Sequence, residues 1–336
     1  MRSLGACIDR RLCGCHARVR SVASLLAIGG LALAMLLFAR DDVGGIVRLV
    51  IAAGPGLIVA SLFHALPMLL NARAWQRLMP AATRPSLRLT TRATWIRESV
   101  NGLLPVARIG GEIAAYRMVF RIPMRRADVA ASLVADMTLS MLTQSAFCVL
   151  GLAAMATIVH APAATTQLVL GVAAASVLGV FLTWAQRAGV LGAMTRALDR
   201  LAANRLRNVL RGSLRLDVSL RALYARRGDV GACLAWQLAA WILGGGEIWL
   251  ALYFLGHQHS LLDALVIEAL IQAISSAAFA IPGALGVQEG AFLLIGGALG
   301  IDGTTALALA AARRLRDVVV FFPGLIAWQR AEARDD

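Results

Sequence analysis

Apolar residues in this chain run in stretches too long for the core helices of a soluble domain, and the polar residues collect between them. The stretches are Ser21–Phe38, Ile46–Leu70, Val129–Val159, Leu168–Trp184, Val230–Leu255 and Thr304–Trp328. Segments of that length and apolarity predict membrane-crossing helices. A β-barrel would require alternating segments of about ten residues, and the chain shows none. The expected fold class is an all-α polytopic membrane protein with about six spanning helices.

Two further apolar stretches are interrupted. LLPVARIGGE occupies Leu103–Glu112 and AIPGALGVQE occupies Ala280–Glu289, each with a proline seven residues ahead of a glutamate. Broken, charged segments in corresponding places of two halves mark the binding region of many transporters. Pro105, Gly110 and Gly111 in the first string, and Pro282, Gly283 and Gly286 in the second, are the expected helix-break residues.

Charge orients the elements. The net charge of +14 comes from arginine alone. A basic chain can signal nucleic acid, but these arginines alternate with apolar spans and follow the positive-inside pattern, so no nucleic-acid partner is expected. Arginines number six from Arg73 to Arg97, three from Arg121 to Arg126 and ten from Arg187 to Arg227, whereas His160–Gln167 and Gly256–Leu262 have none. Both termini and the basic connections are therefore expected in the cytoplasm. Arg18 and Arg20 precede an apolar run that resembles a signal peptide, but Arg40-Asp41-Asp42 follows in place of a small-residue cleavage site, so an uncleaved first helix is expected. Trp75, Trp95, Trp184 and Trp328 fall near predicted cytoplasmic ends, as an aromatic belt would place them.

This orientation gives the broken strings a geometry. Both flanks of the first are basic, so its surroundings dip in from the cytoplasm and return. The second is preceded by a charge-free connection and followed by a helix ending at Arg330 and Arg334, so it dips in from outside. The expected organisation is a basic tail at 1–20, one transmembrane domain at 21–328 and a tail at 329–336. Within that domain 46–159 and 230–328 form an inverted repeat containing two re-entrant segments. Residues 186–228 are expected as an amphipathic connection on the inner leaflet, because Val190, Leu191, Met194, Leu198 and Leu201 recur at helical spacing among arginines.

An ionisable side chain costs about 2.5–3.5 kcal/mol at membrane depth on insertion scales, so it is retained where it pairs or lines a wet cavity. Arg108, Glu112, Arg117, Asp136, Glu289, Arg313, Arg316 and Asp317 are the candidate substrate-binding residues. Glu247, Glu268 and Arg314 are further charges at that depth. Arginine offers a planar, bidentate fork to phosphate or carboxylate. No nucleotide-binding loop, HExxH or nucleophile elbow is present, and five scattered histidines lack metal-ligand spacing, so no enzyme, cofactor or metal is expected.

At these residues the chain resembles the flippase-like membrane family related to the transmembrane region of lysylphosphatidylglycerol synthases. The second block of that family, Pro-Gly-Gly-Leu-Gly-x-x-Glu, appears as Pro282 to Glu289 with Ala284 in place of a glycine. The first block corresponds to Pro105, Arg108, Gly110, Gly111, Glu112 and Arg117, in a longer form preceded by Arg97-Glu98-Ser99-Val100-Asn101. That longer form is similar to the hopanoid-associated branch. The resemblance implies a bacterial inner-membrane protein that translocates or handles hopanoid or related lipids, without an ATPase of its own and without the soluble aminoacyl-transfer domain. Membrane lipids and lipid-biosynthesis enzymes are the implied partners. An anionic phospholipid or polyprenyl-linked lipid as substrate, a small-ion or solute transporter, and a non-transporting partner of lipid-synthesis enzymes remain open alternatives.

Overall fold

A computed structural model describes residues 28–104, 110–120, 123–158, 207–278 and 281–333. Every regular element among them is helical. The helices are α1 (Ile28–Arg40), α2 (Val43–Ala53), α3 (Pro55–Phe63), α4 (Ala65–Leu78), α5 (Leu87–Leu103), α6 (Gly110–Val119) and α7 (Arg126–Ile158). They continue with α8 (Arg207–Ala225), α9 (Arg227–Phe254), α10 (Leu261–Ala277), α11 (Val287–Ala298), α12 (Gly303–Arg316) and α13 (Phe322–Glu332). The expected span Leu168–Trp184, together with Pro105, Arg108 and the tail 1–20, lies outside the described residues.

Two segments are long and apolar enough to cross a membrane by composition alone, Pro55–Leu78 and Arg126–Ile158. The 33 residues of α7 reach about 50 Å at 1.5 Å per residue, more than a 30 Å hydrocarbon core requires. Three of the other expected spans, Ile46–Leu70, Val230–Leu255 and Thr304–Trp328, carry breaks or charges. Ile46–Leu70 divides into α2, α3 and α4 at Gly54 and His64. Thr304–Trp328 runs through α12, a π-helical turn at Asp317–Phe321, and α13. Pro323 lacks an amide proton and stands at the start of α13, where the α-helical hydrogen-bond ladder is already interrupted.

Helix starts follow their sequences. Ser86 accepts a hydrogen bond from the Leu89 amide to begin α5, and Asp302 accepts one from Thr305 to begin α12. Ser260 and Asp263 form a reciprocal capping box on α10.

Directions emerge from specific contacts. Arg226 donates to the carbonyls of Leu78 and Met79, His64 meets Glu247, and the Phe254 ring lies against Gly56. Thus α3–α4 and α9 run antiparallel. Gln144 reaches Ser276 while Cys148 and Gly151 meet Ala269, so α7 and α10 are antiparallel as well. Helices α5 and α6 pack as one hairpin and α10 and α11 as a second. The α5 arm lies against the π turn and α13, as the α10 arm lies against α7.

Small residues let these backbones approach. Ala306, Ala308, Ala310 and Ala312 are buried on α12, and Gly151 faces Ala269. Lipid tails are as apolar as leucine, so helices in a bilayer associate through close packing of this kind. The outer faces are apolar too: Val47, Ile51, Ile58, Val59, Leu62 and Leu66 are exposed. Such a surface suits acyl chains rather than water.

One sequence expectation changes. Trp75 is not part of an aromatic belt: it is fully buried, donates from Nε1 to the Ser132 hydroxyl and lies beneath the Arg97 guanidinium. Gly110 and Gly111, expected as helix-break residues, open α6 after the interruption that follows α5 at Leu103. A Cβ at Gly111 would collide with the Arg97 carbonyl and the Asn101 side chain, so this glycine permits the close approach of α5 and α6.

Candidate functional site

The second string is interrupted between α10 and α11. Pro282–Ala284 forms a single 3-10 turn, and Gly283, Ala284 and Gly286 all have positive φ. Gly286 has φ +76, and its amide donates to the Glu289 carboxylate at 2.7 Å, which starts α11. Ala284, which stands where the family block carries glycine, has φ +46, a left-handed conformation that costs an L-residue about 1–2 kcal/mol.

The arginines of α12 organise the surroundings of this turn. Successive residues of an α-helix project about 100° apart, so Arg313, Arg314 and Arg316 fan toward three different elements. Arg313 makes two hydrogen bonds to Glu268 on α10, of 2.5 and 3.1 Å. Arg314 binds Glu289 at 2.7 Å, the Gly283 carbonyl at 2.9 Å and Asp317 at 3.5 Å. Arg316 holds Asp317 at 2.6 Å and Glu247 on α9 at 3.5 Å. The π turn places Asp317 between two of these arginines and stacks Phe321 beneath Arg316.

The chain of contacts continues toward the first string. Glu247 meets His64 Nδ1 at 2.8 Å, and His64 Nε2 lies 3.8 Å from Glu98 on α5. The adjoining Arg97 binds Asp136 at 2.7 Å and approaches Glu112 at 3.7 Å. Gln237 donates to Asp136 at 2.9 Å, and Asn101 accepts from the Gly111 amide at 2.9 Å. One oxygen of Glu112 is buried without a hydrogen bond. From Glu289 to Glu112, then, ionisable side chains follow one another between the two strings, each side-chain contact 3.8 Å or less, with the step from Glu98 to its neighbour Arg97 made along the backbone of α5. Beside it, a cavity of about 10 Å³ borders Ser61, Glu247 and Arg313, enough for about one water.

Of the sequence candidates, Glu112, Asp136, Glu289, Arg316 and Asp317 lie on this chain, and Arg313 is committed to Glu268 beside it. Arg117 does not join them: it pairs with Glu332 at the exposed ends of α6 and α13. Arg108 lies outside the described residues. Arg97, Glu98 and His64 are members that sequence reasoning passed over. Arg97 counts as one more arginine of a basic connection, and His64 stands alone at the end of an apolar run. The one legible sign was the Arg97–Asn101 segment itself.

The model of the lysylphosphatidylglycerol synthase transmembrane region matches residues 21–324, nearly the whole chain. The chain belongs to that family. Membership makes it a membrane protein with a lipid-related function. Both broken strings and the whole charged chain between them fall within the matched region. Comparison with curated proteins and with solved structures gives no match.

Proposed function

We propose that this member of the lysylphosphatidylglycerol synthase transmembrane-region family is a lipid translocase of the bacterial inner membrane. It has cytoplasmic termini, performs no chemistry of its own, and passes a polar headgroup along the charged chain while the tails stay in the bilayer. One observation carries this reading: the two broken strings are linked by a run of buried and partly buried ionisable groups, interrupted only where it passes along the α5 backbone from Glu98 to Arg97. A fold alone has little reason to maintain so many charges at membrane depth.

The packing supports an inverted repeat of 46–159 and 230–328. The leading helices of the two halves are antiparallel, each half contains one hairpin, and each hairpin packs against the closing helix of the other half. The hairpins α5–α6 and α10–α11 then act as re-entrant gates opening to opposite faces. Glu112, Asp136, Arg97, Glu289, Arg316 and Asp317 guide the headgroup, and Arg313 anchors the frame. The arginines of α12 each face a carboxylate of the chain itself. Such internal pairing favours a weakly charged, hydroxylated headgroup, as in a hopanoid, over a strongly anionic one.

Reconstitution in phospholipid vesicles with fluorescent phospholipid and hopanoid probes tests the reading. Glu112→Gln and Glu289→Gln should each slow probe movement at least tenfold. Unchanged lipid movement with altered ion flux would make the protein a small-solute transporter. A wild type that moves neither probe under any gradient would make it a non-transporting partner of lipid-synthesis enzymes.

A further inference from the structure

One member of the charged chain differs from the rest in being an imidazole, the side chain whose ordinary charge change lies nearest neutral pH. His64 ends α3 and begins α4, its ring edge-on to Phe321 with centroids 5.6 Å apart. Its two nitrogens face carboxylates from different halves of the molecule, Glu98 on the first hairpin and Glu247 on α9. We infer that His64 is the proton-binding site of this protein, and that one proton on its Nε2 decides whether Glu98 of the first hairpin is tied to the His64–Glu247 contact.

The geometry orders the two protonation states. Nδ1 is 2.8 Å from Glu247 Oε2, a hydrogen-bond distance, so in the neutral ring the single proton belongs on Nδ1. The Nε2 lone pair then points toward the Glu98 carboxylate 3.8 Å away, and two acceptors oppose each other. A proton taken from water onto Nε2 converts this contact to an imidazolium–carboxylate pair, and its release breaks that pair again.

The remaining surroundings set the balance. From α5, Arg97 adjoins Glu98 but is engaged with Asp136 and Glu112. From α12, Arg316 opposes the proton, but it is shared between Glu247 and Asp317. Arg313 lies behind, neutralised by Glu268 of α10. No group of three His, Cys, Asp or Glu side chains among the described residues converges as a metal site, so a proton rather than a metal cation is the fitting ligand. As the coupling ion this proton rests on the translocase reading; as a bound proton it does not.

The test uses the full-length protein with 15N-labelled histidine in phosphatidylethanolamine–phosphatidylglycerol vesicles. Solid-state NMR between pH 5 and 9 reports ring protonation, and His64→Gln identifies the His64 signals. The expected result is a change from the Nδ1-protonated neutral ring to the doubly protonated ring within that range. Glu98→Gln should lower the midpoint by about one pH unit, a tenfold loss of proton affinity. A ring that keeps one protonation state throughout, or a midpoint that Glu98→Gln does not move, overturns the inference. Probe movement measured in the same vesicles should vary with pH in the wild type and lose that variation in His64→Gln. Lipid movement indifferent to pH overturns the coupling role. A ring that titrates as expected in a protein that moves no lipid supports the proton site and refutes the translocase reading.

Discussion

Truncating one partner of the Arg313–Glu268 pair should destabilise the protein far more than truncating both. The side chains are 3% and 4% exposed and share two hydrogen bonds, and Gln272 donates to the same carboxylate at 2.7 Å. Arg313→Met leaves Glu268 buried with Gln272 as its one remaining donor among these contacts. Removing one member of a buried pair typically costs about 3–5 kcal/mol, because the other charge is left uncompensated. Glu268→Gln should cost about the same by stranding the guanidinium, although its amide oxygen still accepts from Gln272. Combined, the two changes leave an apolar side chain beside a hydrogen-bonded amide, so most of the loss should return. The expected coupling is at least about 2 kcal/mol, within the range for groups in direct contact. Denaturant titration of the purified protein in detergent, followed by circular dichroism for both single variants and the double, measures it. Additive effects, or an Arg313→Met protein as stable as wild type, would refute the anchoring role and return Arg313 to the candidates for substrate contact.

Further outcomes follow from local geometry. Ala284→Gly relieves the left-handed backbone at φ +46; after the extra unfolded-state freedom of glycine, a gain of about 0.5–1 kcal/mol is expected in the same titration. Gly111→Ala drives a methyl group into the Arg97 carbonyl and Asn101, so a loss of about 1–3 kcal/mol and a loosened α5–α6 hairpin, read by hydrogen exchange, are expected. Arg117→Ala removes an exposed pair with Glu332 and should change stability by less than about 1 kcal/mol. Asp302 caps α12 outside the apolar core. Partial burial pushes its carboxyl up, but hydrogen bonds from the Thr305 amide and hydroxyl outweigh that and hold it below the usual carboxylate range. Its stabilisation is therefore complete above the ordinary carboxylate range and is lost as the pH falls below it. Asp302→Ala should melt lower than wild type at pH 7, with the gap narrowing toward pH 3.

Local features were largely legible in the chain. Pro282, Gly283 and Gly286 marked a break because a missing amide proton and positive φ are properties of single residues, and in the structure Gly283 and Gly286 have positive φ at the 3-10 turn ahead of α11. In the first string the close approach that Gly111 permits between α5 and α6 was not legible, because a glycine that bends a backbone and one that admits a neighbouring helix look alike in sequence. Trp75 misled for a related reason: a tryptophan near a helix end suits a belt, and its burial follows from Ser132 and Arg97 on other helices.

By itself the sequence determined the class of solvent, because long apolar runs with arginines between them are stable as helices only where the backbone satisfies itself. It also determined that charges sit at membrane depth, since their positions within those runs allow little else. The partners of each charge were decided by the tertiary structure alone. Arg313, Arg314 and Arg316 are almost adjacent in the chain, yet helix geometry sends them to Glu268, Glu289 and Glu247 on three elements. Arg97, Glu98 and His64 join the site only because Arg97 of α5 reaches Asp136 on α7 and the α3–α4 junction packs against α9. Pairing across a fold depends on which faces meet, and residue spacing along one chain does not encode that.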